Sequence, residues 1–143
     1  ITTEGGLDVL GHYDQVQAAV EQLKSAGIRV SLFIDPDIGQ IDAAKKVGAS
    51  VIELHTGAYA DADLTTKNQE LLRIQRAAQY AKSLGFRVNA GHGLNEENVT
   101  PIAQIPEISE LNIGHAIIAT AVFKGLRTAI QDMRKLMDKA RSP

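Results

Sequence analysis

Hydrophobic positions along this chain fall into two alternating rhythms. Val16, Ala19, Val20 and Leu23 recur three and four residues apart, as do Ile38, Ile41 and Ala44, then Leu71, Ile74, Ala78 and Ala81. Near the C-terminus Val122, Leu126, Ile130, Met133 and Met137 continue the pattern. Such spacing places each set on one face of a helix. A weaker helical pattern covers residues 95–104, ahead of the "IPE" break. Between these stretches the apolar residues alternate with polar ones at period two, which predicts strands near 29–35, 51–56, 87–91 and 111–114. Gly27, Gly48 and Gly85 each stand where a helix should end in a left-handed residue. Asp37 is placed to cap one helix, and Lys139 and Arg141 suit the negative end of the last one.

A helix followed by four strand–helix units predicts parallel pairing and an α/β fold. No linker or low-complexity segment interrupts residues 1–143, so they read as a single domain. Each strand runs into a polar cluster, and no Gly-x-Gly-x-x-Gly follows any of them. Both features favour a (β/α) barrel over a dinucleotide-binding sheet. A complete barrel has eight units and about 250 residues. The chain therefore reads as half of a (β/α)8 TIM barrel.

Alternation also assigns sides. Val30, Leu32, Ile34, Ile52, Leu54, Val88 and Ala90 belong under the helices, which turns Phe33, Asp35, Glu53, His55, Asn89 and Asn112 to the barrel interior. Singly, each polar group here is as readily explained by a structural hydrogen-bond network. Together, at strand C-termini where barrel sites form, they point to a ligand. Asn-x-Gly-His occurs twice, as "NAGH" (89–92) and "NIGH" (112–115). In each copy the Asn faces inward, the Gly admits a close approach, and the His opens a loop on the active face. After His115 comes the apolar stretch "AIIATAVFKGL", a short helix before the long last one. Its N-terminus, at Gly114 and His115, is a natural seat for a phosphate. His55, His92 and His115 with Glu53 or Asp35 offer zinc-ligand types, but no H-E-x-x-H or similar spacing supports a metal, and none is expected.

Composition changes this picture little. The 143 residues carry a net charge of −2, which gives no basic field for nucleic acid. There is no cysteine, hence no thiol nucleophile and no disulfide. No apolar run approaches the ~20 residues of a membrane span, and no signal-peptide pattern opens the chain, so a cytoplasmic protein without membrane contacts is expected. The first residues, "ITTEGG", lack an initiator Met and read as the middle of a loop, which suggests a fragment.

The linked motifs "TTEGGLDV", "VSLFID", "IELHTGAYA", "VNAGHGLN" and "ELNIGHAII" resemble, in this order, the C-terminal part of the pyridoxine 5′-phosphate synthase family. The resemblance runs from Thr2 to the last helix. It implies a (β/α)8 barrel, entered here in the loop after the fourth strand. The implied reaction condenses 1-deoxy-D-xylulose 5-phosphate with 3-amino-2-oxopropyl phosphate to pyridoxine 5′-phosphate, phosphate and water, in vitamin B6 biosynthesis. It needs no cofactor. By the same resemblance Glu53 stabilises the transition state and His92 donates a proton. Thr2, Gly93, Gly114 and His115 bind the phosphorylated substrates. The family's first half has no counterpart here, and with it go an Asn-x-Asp-His motif, a His-x-Arg motif and another catalytic glutamate. Its implied partners are that N-terminal half and further copies in a homo-oligomer. Thr120 stands where the family usually has Arg, which should alter helix packing or a subunit contact. The alternative reading is a non-catalytic, phosphate-binding half-barrel or assembly subunit.

Overall fold

The computed structural model describes residues 5–142. Its elements are α1 (Tyr13–Ser25), β1 (Ser31–Ile34), α2 (Ile38–Lys46), β2 (Val51–His55), α3 (Gly57–Asp61) and α4 (Lys67–Ser83). They continue with β3 (Arg87–Gly91), α5 (Val99–Ala103), β4 (Ile108–Asn112), α6 (His115–Lys124) and α7 (Leu126–Arg141). The strands form one parallel sheet in the order β1-β2-β3-β4, each beside its predecessor in sequence. Parallel neighbours need a crossover, and every crossover here carries at least one helix.

Local signals behave as their chemistry requires. Gly27, Gly48 and Gly85 all sit at positive φ, at 74°, 85° and 85°, just past α1, α2 and α4. The Asp37 carboxylate accepts from the Gln40 backbone N–H at 3.1 Å, capping α2. One face of the sheet is the core: Leu32, Ile34, Ile52, Leu54, Val88 and Ala90 are buried against Ile41, Ala44, Ile74 and Ala78. Each large aliphatic side chain so buried contributes about 1.5–3 kcal/mol. The opposite face carries Phe33, Glu53, His55, Asn89 and Asn112, the side that alternation assigned to them.

Four details depart from the hydrophobic pattern. The last strand is Ile108–Asn112 rather than 111–114. A register shift between Val88 and Asn89 pairs Ile108 with Val88 and Glu110 with Asn89, leaving Ser109 between them. Such a bulge breaks the period of two and hides the start of the strand. Second, Val122 does not belong to the stripe of the last helix: Gly125 at φ 80° separates α6 from α7, the short and the long helix expected after His115. Val122 is therefore 77% exposed while Met133 is buried. Third, residues 95–98 form a turn, and only Val99–Ala103 is helical. Fourth, α3 is a short helix directly after β2 that the periodicity does not reveal.

The two ends of the sheet differ. Beyond β1, Val16, Val20, Leu23, Val30 and Leu32 line an apolar groove of ≈ 920 Å³, so the α1 stripe is only partly covered. Beyond β4, the Arg141 guanidinium reaches back from α7 to the carbonyls of Ala103, Ile105 (2.8 Å) and Ile108 (2.6 Å). One side chain thereby satisfies carbonyls left over at the end of α5 and the entry to β4.

Candidate functional site

β2 places Glu53 and His55 on one face because residues two apart in a strand point the same way. Thr56 follows, fully buried. Its backbone N–H donates to the Gly91 carbonyl at 2.8 Å. Its hydroxyl lies 2.7 Å from that carbonyl and 2.6 Å from the His92 carbonyl. Gly91 is already served by the N–H, so the single hydroxyl proton is free for His92. His92 has φ 82°, the one positive φ on a non-glycine among the described residues, and Gly93 follows at 74°. A left-handed L-residue costs about 1–2 kcal/mol, and the Thr56 hydroxyl helps to hold it there. The imidazole consequently stands clear of the sheet and is exposed.

His92 opens onto a cleft of ≈ 620 Å³ whose wall includes Phe33, Glu53, Asp61, Gly93, Asn112, Gly114 and His115. Glu53 Oε2 accepts from the Asn112 amide at 2.7 Å. Burial raises the Glu53 carboxyl above its ordinary range; the Asn112 bond opposes this, nearby Glu110 adds to it, and His55 counters it. A side chain at position 91 would collide with Glu53 Oε1 and come within 2.7 Å of the Asn112 carbonyl, so only glycine leaves room for the carboxylate to lie across β3. Deeper on the same face Glu110 accepts from Asn89 at 3.1 Å and from Arg87 at 3.2 Å.

Behind His92, the His55 Nδ1 lies 3.0 Å from Asp35 Oδ1. Phe33 meets the His55 ring edge-on at 5.1 Å, and the rings of His55 and His92 are 4.8 Å apart. On the other wall, Gly114 precedes α6 without any side-chain cap. The free N–H groups of this first turn and the helix dipole therefore present partial positive charge beside His115. An anion is the natural occupant of such a terminus.

Of the residues singled out in the sequence, Glu53, His92, Gly93, Gly114 and His115 border this one cleft. Thr2 lies outside the described residues. Thr120 is half-buried on α6. Among the described residues no three His, Asp or Glu side chains are grouped as a metal ion would need, and no helix is long and apolar enough to cross a membrane. Periodicity did not single out Thr56, Asp61 or Glu110. Thr56 could have been noticed as a polar residue directly following an inward-facing His, but its grip on residue 92 is a tertiary contact.

The family model for pyridoxal phosphate biosynthesis protein PdxJ matches residues 1–139. A pyridoxine 5′-phosphate synthase of Legionella pneumophila (strain Corby) is 60% identical over 142 residues, which cover 99% of this chain and 57% of that protein. The chain thus spans a little over half the length of the curated relative it matches. With the whole of its described sheet and cleft inside the matched region, the chain belongs to the PdxJ family of pyridoxal phosphate biosynthesis proteins.

Proposed function

We propose that this chain is the C-terminal half of a pyridoxine 5′-phosphate synthase whose complete form is a (β/α)8 barrel, condensing 1-deoxy-D-xylulose 5-phosphate with 3-amino-2-oxopropyl phosphate. The observation that carries the reading is the shared cleft: an exposed imidazole, a carboxyl raised by burial and an uncapped helix N-terminus face one space. Each suits a step of that condensation. Joining an amine to a ketone and closing the ring demands repeated proton transfers, and His92 is the donor placed to make them. Glu53 stabilises cationic imine-like intermediates when ionised, at a position fixed by Asn112. Gly93, Gly114 and His115 hold substrate phosphate, with α6 supplying N–H donors. Thr2 belongs to the substrate-binding loop. None of these steps transfers a hydride or an electron, so the chemistry calls for no redox cofactor.

The partner is an N-terminal half that supplies the remaining strands and the family's other catalytic groups. Exposed Ile118, Val122 and Phe123 on α6 support burial of that helix against this half or against another copy in a homo-oligomer. The setting is the cytoplasm.

The test is to assay the complete barrel, this chain joined to its N-terminal half, for pyridoxine 5′-phosphate. Product is expected from the wild type and none above background from His92→Ala with its fold intact. Near-normal turnover by His92→Ala would sink the role given to His92. One observation favours a second reading for the chain alone: the α6 terminus lies wholly within it. Binding of a substrate phosphate by the isolated chain, without turnover, is the signature of a non-catalytic half-barrel.

A further inference from the structure

His55 takes part in no step above, yet its surroundings are unusual for a structural histidine. Its side chain is 14% exposed, and only one of its two ring nitrogens has a partner. Nδ1 meets Asp35, while Nε2 is buried without any hydrogen bond among the described residues. A histidine kept for structure alone would satisfy both nitrogens, because a buried orphan costs about 1–3 kcal/mol.

We propose that Asp35 and His55 form a positioning pair for His92, Asp35 fixing the tautomer of His55 and the His55 ring fixing the plane of the His92 imidazole. The inference rests on the proton-donor role proposed for His92.

An ionised carboxylate only accepts, so the 3.0 Å contact calls for a proton on His55 Nδ1, and in the neutral ring Nε2 is then a bare acceptor. The Nε2–Cε1 edge of His55 and the Cδ2 corner of His92 both border the space over Gly57. A Cβ built on Gly57 would come within 2.7 Å of His55 Nε2 and 3.1 Å of His92 Cδ2, so both rings crowd the same point above that glycine. Any larger residue at 57 would wedge them apart. Phe33 completes the arrangement, edge-on to His55 and 6.4 Å from the His92 ring. Adjacent residues at the end of β2 thus clamp His92 twice: Thr56 holds its backbone and His55 holds its ring. The charged and titratable groups around this cluster are Asp35 after β1, Glu53 on β2, Asp61 on α3, Glu110 on β4 and His115 at the start of α6. Of these, the one within hydrogen-bond reach of His55 is Asp35.

The test uses the complete barrel and has two arms. In long-range ¹H–¹⁵N NMR, at a pH where the imidazoles are neutral, His55 is expected as the Nδ1–H tautomer. Asp35→Ala should return it towards the Nε2–H form and shift the His92 ring signals. An Nε2–H tautomer in the wild type, or unmoved His92 signals in Asp35→Ala, overturns the proposal. In the kinetic arm, His55→Ala and Asp35→Ala should each lower kcat by about ten- to a hundredfold with KM little changed, as expected when a reacting group is misplaced. The double variant should be no worse than His55→Ala, because the two act as a unit. His55→Phe, which keeps a ring against His92, should recover part of the loss. His55→Asn, which keeps a donor for Asp35 but no ring, should recover none. Wild-type kcat in His55→Ala, or fully additive losses, refutes the pair. Should His55→Ala fail to fold, Asp35→Ala carries the test, since that side chain is 52% exposed. A wild-type barrel that makes no pyridoxine 5′-phosphate overturns the functional reading instead, and the NMR arm then decides the pair by itself.

Discussion

The Asn112 amide donates to Glu53 Oε2 at 2.7 Å across the full width of β3. It ties together two strands, β2 and β4, that do not pair with each other. The bond passes over Gly91, in register with Asn112, where any side chain would obstruct it. The second Asn-x-Gly-His copy thus supplies the Asn and the first supplies the Gly for one carboxylate.

That carboxylate makes stability depend on pH. The Glu53 carboxyl is raised in the fold from its ordinary 4.5, chiefly by burial. Its contribution is fully present below the unfolded value and is lost as pH rises through the folded one. Glu53→Gln keeps an acceptor for Asn112 and removes the charge. Thermal unfolding of this variant should show a higher midpoint than wild type at pH 7, and the gain should vanish below about pH 4. A gain that persists at low pH would mean that packing rather than ionisation sets the difference.

Residue 92 separates conformation from chemistry. Asn tolerates the left-handed region that His92 occupies at φ 82°, whereas a β-branched residue does not. Urea unfolding should find His92→Asn within about 0.5 kcal/mol of wild type and His92→Val less stable by about 1–2 kcal/mol. Both should lose about 10²–10⁴ in turnover, the usual worth of a general acid.

Thr56→Val is nearly isosteric but leaves the His92 carbonyl without its hydroxyl donor. A loss of about 1–3 kcal/mol is expected, measured by chemical denaturation. Thr56→Ser should restore most of it. Turnover should fall in Thr56→Val even at temperatures where the protein is fully folded, because the backbone that aims His92 is no longer held.

At Gly114 stability and binding should move in opposite directions. A Cβ there meets nothing within 4 Å, and the residue precedes α6 without a cap. Gly114→Asp should leave stability unchanged or raise it by a few tenths of a kcal/mol, since Asp caps helices well. It should also weaken phosphate binding by about tenfold or more, by placing a carboxylate where the anion would sit. Isothermal titration with a substrate phosphate reads the binding, and a melting curve reads the cap. Unchanged affinity would remove the phosphate seat from α6.

Much of this arrangement was legible in the sequence because it rests on local rules. The glycine stops after α1, α2 and α4, the Asp37 cap and the inward side of Glu53, His55 and Asn112 all follow from residue type and a period of two or 3.6. The start of β4 was hidden because the register shift opposite Val88 and Asn89 breaks that period. The short helix before the long last one was legible too, but spacing alone puts Val122 on the wrong one, because it continues the apolar spacing of α7 across Gly125. The hold of Thr56 on residue 92 and the meeting of His55 with His92 join β2 to the end of β3, and no spacing within either segment encodes them.

The order of the strands bears on how the cleft comes into being. Since β1 to β4 lie side by side in the order of synthesis, no later strand must insert between two earlier ones. Each new strand docks on the exposed edge left by the last, after closing a single crossover, which keeps the entropy cost of every step small. The sheet can therefore grow vectorially as the chain emerges from the ribosome. β4 arrives last, and with it come Asn112 and the start of α6. Until then Glu53 lacks its amide partner and the cleft lacks one wall, so an assembled cleft is itself a sign that this stretch of chain has been completed.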